Sequence, residues 1–141
     1  LDTDVVGPLV SAIQFVESGG KQYTRRGVPS SGVVTGKKDD LGIMQVREGA
    51  TRDVEKTLGR NLNPSDPEDN IVIGVEHLKK ILHNPAVLRH GGWKSAVGAY
   101  NAGVTGLLRM RDPRTTYIDK VLERLTTSQR EALDRMYGQG R

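Results

Sequence analysis

Ser65-Asp66-Pro67-Glu68, followed by Asp69-Asn70-Ile71-Val72-Ile73-Gly74-Val75-Glu76-His77-Leu78-Lys79-Lys80-Ile81-Leu82, is the stretch that decides the fold class. Ser65 or Asp66 can cap a helix, because a short polar side chain accepts from the amides that a first turn leaves unpaired. Pro67 suits the first turn, where no N–H is needed, and Glu68 complements the positive end of the helix dipole. Ile71, Val75, Leu78 and Leu82 then recur at i, i+4, i+7 and i+11 and give one apolar stripe that ends before Pro85. The pattern predicts the central packing helix.

Towards the N-terminus, Leu9, Ile13 and Val16 repeat at helical spacing behind Pro8, a favoured first helical residue. Gly19-Gly20 stops this helix, since glycine readily takes the left-handed conformation that ends helices, and Glu17 falls in its last turn. Residues 21–41 hold Gly27, Pro29, Ser30, Ser31, Gly32 and Gly36 among few apolar positions. They read as a long loop with a short hairpin through Val33-Val34-Thr35. A connection of that length in a compact domain is usually functional. A short helix from Thr51 to Leu58 ends at Gly59.

Towards the C-terminus, Trp93, Ala96, Val97 and Tyr100 mark a helix that ends near Gly103, and Tyr117, Val121, Leu122 and Leu125 mark another. Ser128-Gln129-Arg130-Glu131 has the capping-box pattern and opens a last helix with Leu133, Met136 and Tyr137. About six helices and no strand ladder make the class mainly α. The expected organisation is one domain over residues 1–137 and a flexible tail over 138–141.

The 141 residues suffice for one domain without staples, and the absence of cysteine excludes disulfides and thiolate metal sites. No apolar run approaches the ~20 residues of a membrane span. Leu1-Asp2-Thr3-Asp4 lacks the basic start and apolar stretch of an export signal, and a start at leucine suggests a processed protein or a domain of a longer one. A net charge of +4 favours acidic partners without naming one. Basic residues are scattered, with no run longer than pairs such as Arg25-Arg26, Lys37-Lys38 and Lys79-Lys80 and no aromatic interleaving, so nucleic acid is not expected as a partner. His77, His83 and His90 are not spaced as a helical metal pair, and no metal or other cofactor is expected.

Four segments in order carry a resemblance: Val16-Glu17-Ser18-Gly19-Gly20, Gly42-Ile43-Met44-Gln45-Val46, Asn70-Ile71-Val72-Ile73-Gly74 and Ala99-Tyr100-Asn101-Ala102-Gly103. Together, over about Leu9 to Leu125, they resemble the lytic transglycosylase domain of the soluble type, a relative of goose-type lysozyme. The resemblance implies a lysozyme-like α fold with a groove for peptidoglycan glycan strands, in which N-acetylglucosamine alternates with N-acetylmuramic acid. It implies Glu17 as the acid that protonates the glycosidic oxygen. It further implies that the substrate's N-acetyl group stabilises the developing positive charge, and that Glu17 then takes the proton of the muramic 6-hydroxyl to close a 1,6-anhydro ring.

The residue chemistry agrees with that role. A general acid must be protonated at working pH, and a carboxyl on an apolar helix end among Ile13, Val16, Met44 and Tyr100 gains a raised pKa by desolvation. An idle carboxylate at a helix C-terminus is instead unfavourable by up to ~1 kcal/mol. Gln45 offers a donor and an acceptor to an acetamido group, beside Met44, which serves equally well as core. Tyr100 carries a hydroxyl for a carboxyl or substrate group, and Asn101 is either a binding residue or a plain helix-end residue. Tyr117 matches a further family tyrosine near the groove. Either Ser30 or Ser31 takes the place of the family's serine that braces the glutamate, in a loop longer than usual. Asp40 is the candidate second carboxylate for an inverting hydrolase, which needs one about 6.5–9.5 Å from the acid to activate water.

A lysozyme-like muramidase on the same fold is the nearest rival. A non-catalytic wall-binding or structural module of a virion or secretion apparatus is the rival from another class. The resemblance implies a periplasmic, wall-associated, extracellular or virion-associated setting, as a monomer or as a domain of a larger protein.

Overall fold

The structure is a computed structural model that describes residues 3–112 and 115–138. Among the described residues seven α-helices follow one another: α1 (Thr3–Ser18), α2 (Glu48–Leu58), α3 (Pro67–Leu82), α4 (Pro85–Ala102), α5 (Val104–Leu108), α6 (Thr116–Glu123) and α7 (Thr127–Tyr137). A 3-10 turn, Pro29–Ser31, lies in the long loop. Among the described residues there is no strand, only isolated antiparallel bridges joining Tyr23 to Val33, Thr35 to Leu41 and Leu41 to Val46. The expected mainly α class is therefore the one observed, with a hairpin-like pairing through Val33 and Thr35. The chain packs as two compact units, one of Leu1–Ala12 with Leu78–Arg141 and the other of Ile13–His77.

In the Ile13–His77 unit, Asp66 is the residue that caps α3, its carboxylate accepting the Asp69 N–H at 3.0 Å. The apolar stripe of α3 differs in phase from the one read in the sequence. Leu78 and Leu82 are fully buried, but Ile71 and Val75 are half-buried, and Asn70, Ile73 and Gly74 face inward instead. The cause is Gly74: a β-carbon there would stand 2.6 Å from the Met44 β-carbon, so the bare backbone makes room for Met44. The helix α2 begins three residues before Thr51, buries Thr51 and Val54, and ends at Gly59 in the left-handed region (φ 69°).

In the other unit α4 is the hub, packing against α5, α6 and α7. It starts at Pro85, eight residues before Trp93, because the Asn84 side chain accepts the Ala86 and Val87 amides at 3.0 and 3.3 Å. Gly91 and Gly92 break its helical geometry just before Trp93. The Trp93 ring is fully buried and its indole N–H donates to Asp134 of α7 at 2.8 Å. Gly98 admits Leu107 and Ile118, whose methyl carbons would stand 2.7 and 3.0 Å from a β-carbon.

Two further helix starts differ from the sequence reading. Helix α1 opens at Thr3, with Pro8 inside it. Burial of Val6 and Leu9 holds the first turns in place, and the proline removes only one hydrogen bond there. The capping box of α7 is Thr126 with Gln129, two residues upstream of the expected Ser128 and Glu131. Met136 of α7 is exposed, while Leu133 is buried as expected. Of the tail expected at 138–141, Gly138 closes α7 and residues 139–141 lie outside the described residues. No helix among the described residues is long and apolar enough to cross a membrane.

Candidate active site

Glu17 is half-buried at the penultimate position of α1. The helix closes behind it in two steps: the Gly19 N–H donates to the Phe15 carbonyl at 2.8 Å and the Gly20 N–H to the Gln14 carbonyl at 3.1 Å. The Arg26 guanidinium adds bonds to the Gly19 and Gly20 carbonyls at 3.0 and 3.3 Å. Glu17 thus projects from a turn whose backbone is fixed from within the helix and from the loop that follows.

The next residue ties this turn to the second motif. The single Ser18 hydroxyl proton is shared between the Ile43 carbonyl at 2.8 Å and the Gln14 carbonyl at 3.1 Å, and the hydroxyl oxygen accepts the Lys21 N–H at 3.1 Å. Gln14, one turn earlier, donates its amide to the Met44 sulfur at 3.3 Å. The helix end that carries Glu17 and the Gly42–Gln45 segment are therefore bonded directly, across 25 to 30 residues of sequence.

Met44 is fully buried. Gln45 is half-buried and adopts φ 49°, a left-handed conformation that few residues other than glycine take. Its amide N–H groups donate to the Val34 carbonyl at 3.1 Å and the Gly42 carbonyl at 2.9 Å, which offsets that strain by holding two loops together. Two amides that the sequence reading did not single out complete the arrangement. Gln22, 7% exposed, accepts the Ile43 N–H at 2.9 Å. Asn70, wholly buried at the start of α3, accepts the Met44 N–H at 2.9 Å.

The long loop is internally bonded. Thr24 and Gly32 pair through a 2.9 Å backbone bond, and Val34 bonds both to Gln22 at 2.9 Å and to Gly42 at 2.8 Å. Ser31 braces its own turn, accepting the Arg25 N–H at 2.9 Å and donating to the Val28 carbonyl at 2.6 Å, while Ser30 is exposed. Asp40 sits in a tight turn: its carboxylate accepts the Lys38 N–H at 3.2 Å and its carbonyl the Gly36 N–H at 2.8 Å. A cavity of about 430 Å³ in this unit is lined by residues that include Leu41, Val46, Thr51 and Leu62, with neither Glu17 nor Gln45 in its lining.

Tyr100, Asn101 and Tyr117 belong to the other unit. Tyr100 is 8% exposed near the end of α4, Asn101 is exposed beside it, and Tyr117 is half-buried at the start of α6. Two of the three histidines are engaged there: the His83 ring meets Tyr137 edge-on at 6.0 Å, and His90 bonds the Met110 carbonyl at 3.0 Å. Among the described residues no group of three His, Cys, Asp or Glu side chains gathers as a metal site would.

Glu17 thus stands at a helix end whose next residue is hydrogen-bonded to a glycine-led loop. Residues 3–121 match the transglycosylase SLT domain, and the chain belongs to that family. It is similar to the membrane-bound lytic murein transglycosylase C of Mannheimia succiniciproducens, 31% identical over a 102-residue alignment that covers 63% of this chain. The chain spans only 28% of the length of that relative. No solved structure matches it.

Proposed function

We propose that the chain cleaves the β-1,4 bond between N-acetylmuramic acid and N-acetylglucosamine in peptidoglycan glycan strands, leaving a 1,6-anhydromuramic end. The observation that carries this reading is Glu17 on the last turn of α1, bonded through Ser18 to the Gly42–Gln45 segment, within a family match over residues 3–121. Glu17 gives its proton to the glycosidic oxygen as the bond breaks. The substrate's N-acetyl oxygen takes up the developing charge, and the Glu17 carboxylate then removes the proton of the muramic 6-hydroxyl. That oxygen closes on the anomeric carbon, the acetamido group is released, and no water is consumed. One residue serves as acid and then as base, each role worth typically 10²- to 10⁴-fold in rate.

Gln45, Met44, Tyr100, Asn101 and Tyr117 are the proposed substrate-side residues. The bonding of Asp40 favours ring closure over hydrolysis: its carboxylate accepts from Lys38 in its own turn, an arrangement that suits a turn residue better than a base for water. The proposed setting is the cell wall, with glycan strands as the partner. Mass analysis of the muropeptides released from purified sacculi tests the reading. Anhydro ends, lighter by one water than hydrolysed reducing ends, are expected, and reducing ends would replace transglycosylation with muramidase action.

A further inference from the structure

The Gly42–Gln45 segment owes its shape to two buried amides. Five consecutive backbone donors are all paired: Leu41 to the Val46 carbonyl at 2.9 Å, Gly42 to Val34 at 2.8 Å, and Gln45 to Gly42 at 3.0 Å, with Ile43 and Met44 donating to the Gln22 and Asn70 side chains at 2.9 Å each. The amides are anchored in turn. Gln22 donates to the Pro64 and Ser65 carbonyls at 3.1 and 3.0 Å, and Asn70 to the Leu41 and Pro64 carbonyls at 2.8 Å each. Each amide has two N–H groups, so both are saturated as donors and neither has one left for a ligand. Gly42 lies against both, and a β-carbon there would collide with the Asn70 nitrogen and the Gln22 oxygen.

We propose that Gln22 and Asn70 are positioning residues for the reaction at Glu17, acting through Ile43 and Ser18; the role rests on the glycan-cleaving function above. Both polar backbone groups of Ile43 are held, the N–H by Gln22 and the carbonyl by the Ser18 hydroxyl. The chain of bonds therefore runs from the 64–65 turn through Gln22 to Ile43, with Asn70 holding the adjoining Met44 N–H from the same turn, and from Ile43 to the residue that follows Glu17. A loop released from its amides moves relative to the acid, and a misplacement of ~1 Å between reacting groups costs on the order of 100-fold in rate. The amides touch no substrate in this account, so their loss lowers turnover rather than affinity.

The test uses the full chain, with kinetics on uncrosslinked glycan strands below the unfolding temperature of every variant. Asn70→Ala and Gln22→Ala are expected to lower kcat by about 10- to 100-fold with KM near the parental value. Amide exchange at Ile43 and Met44 should be faster in both while the helical circular dichroism is retained. If the alanine variants do not fold, Gln22→Glu carries the test: it keeps size and the acceptor for the Ile43 N–H but loses donors to the Pro64 and Ser65 carbonyls, and it should show the same split. Folded variants with parental kcat, or a loss confined to KM, would overturn the positioning role alone. A parent chain that releases no muropeptides would overturn the glycan-cleaving function and this role with it.

Discussion

Alanine at Gly42 and alanine at Gly59 make a matched pair, because the two glycines share a left-handed backbone, φ 76° and 69°, and differ in their surroundings. Nothing lies within 4 Å of a β-carbon at Gly59, so its replacement carries only the conformational cost, about 1–2 kcal/mol. At Gly42 the same cost is joined by a collision with the Asn70 and Gln22 amides. If these move aside, the Ile43 and Met44 N–H groups lose their acceptors, at about 1–3 kcal/mol each for a buried donor left unpaired. The sum for Gly42→Ala is about 3–8 kcal/mol, a large part of the 5–15 kcal/mol by which a domain is stable. At roughly 2–4 °C per kcal/mol for a chain of this size, Gly42→Ala should melt at least ~6 °C below the parent, and Gly59→Ala should show about a quarter to a third of the Gly42→Ala shift. Thermal and urea unfolding followed by far-ultraviolet circular dichroism compare the two directly. Equal losses would refute the claim that buried amides, rather than backbone conformation, make glycine necessary at position 42.

Gly74→Ala should cost about 1–3 kcal/mol by overpacking against Met44, read as a lower urea midpoint at unchanged slope. Thr126→Ala removes the capping box of α7 and should cost about 1 kcal/mol in the same titration, whereas Ser128→Ala should be near neutral. Asp40→Asn should leave the rate of muropeptide release and the anhydro product unchanged; a loss of reducing-end products would instead assign Asp40 to water activation.

Local signals in this chain were legible where one residue satisfies one rule. The cap of α3 falls on Asp66, one of the two residues that the sequence offered, and the stops at Gly19-Gly20, Gly59 and Gly103 stand where glycine must take a positive φ. Phase and boundaries were less legible, for physical reasons. Ile71 and Val75 share helical spacing with Leu78 and Leu82, but the inward face also passes through Asn70 and Gly74, neither of which scores as apolar. Asn84-Pro85 reads equally as the end of one helix and the start of the next. Thr126-x-x-Gln129 and Ser128-x-x-Glu131 fit the same pattern, and only the fold chooses between them.

The candidate site divides along similar lines. Glu17, Met44, Gln45 and Tyr100 stand in segments whose order along the chain carries the family resemblance. Gln22 has no such signal, since a lone amide in a loop reveals nothing of acceptors and donors 21 to 43 residues away. Asn70 was visible in its motif, but its task depends on Leu41, Met44 and Pro64 converging on one point. The long loop read as glycine-rich and irregular, yet its backbone is paired through Tyr23, Val33, Thr35 and Leu41, because polar groups brought inward must find partners.

The central claim is that Glu17 transfers the protons of an intramolecular ring closure. Its most direct test is the mass spectrum of muropeptides released from purified sacculi by the parent chain and by Glu17→Gln at equal folded concentration. The amide matches the carboxyl in shape but holds no transferable proton, so the loss should reach or pass the 10⁴-fold upper figure for general acid-base catalysis. The parent should release ends lighter by one water than hydrolysed ones, and Glu17→Gln should release none while melting near the parental temperature. Release by Glu17→Gln at the parental rate, or hydrolysed ends from the parent, would contradict the account.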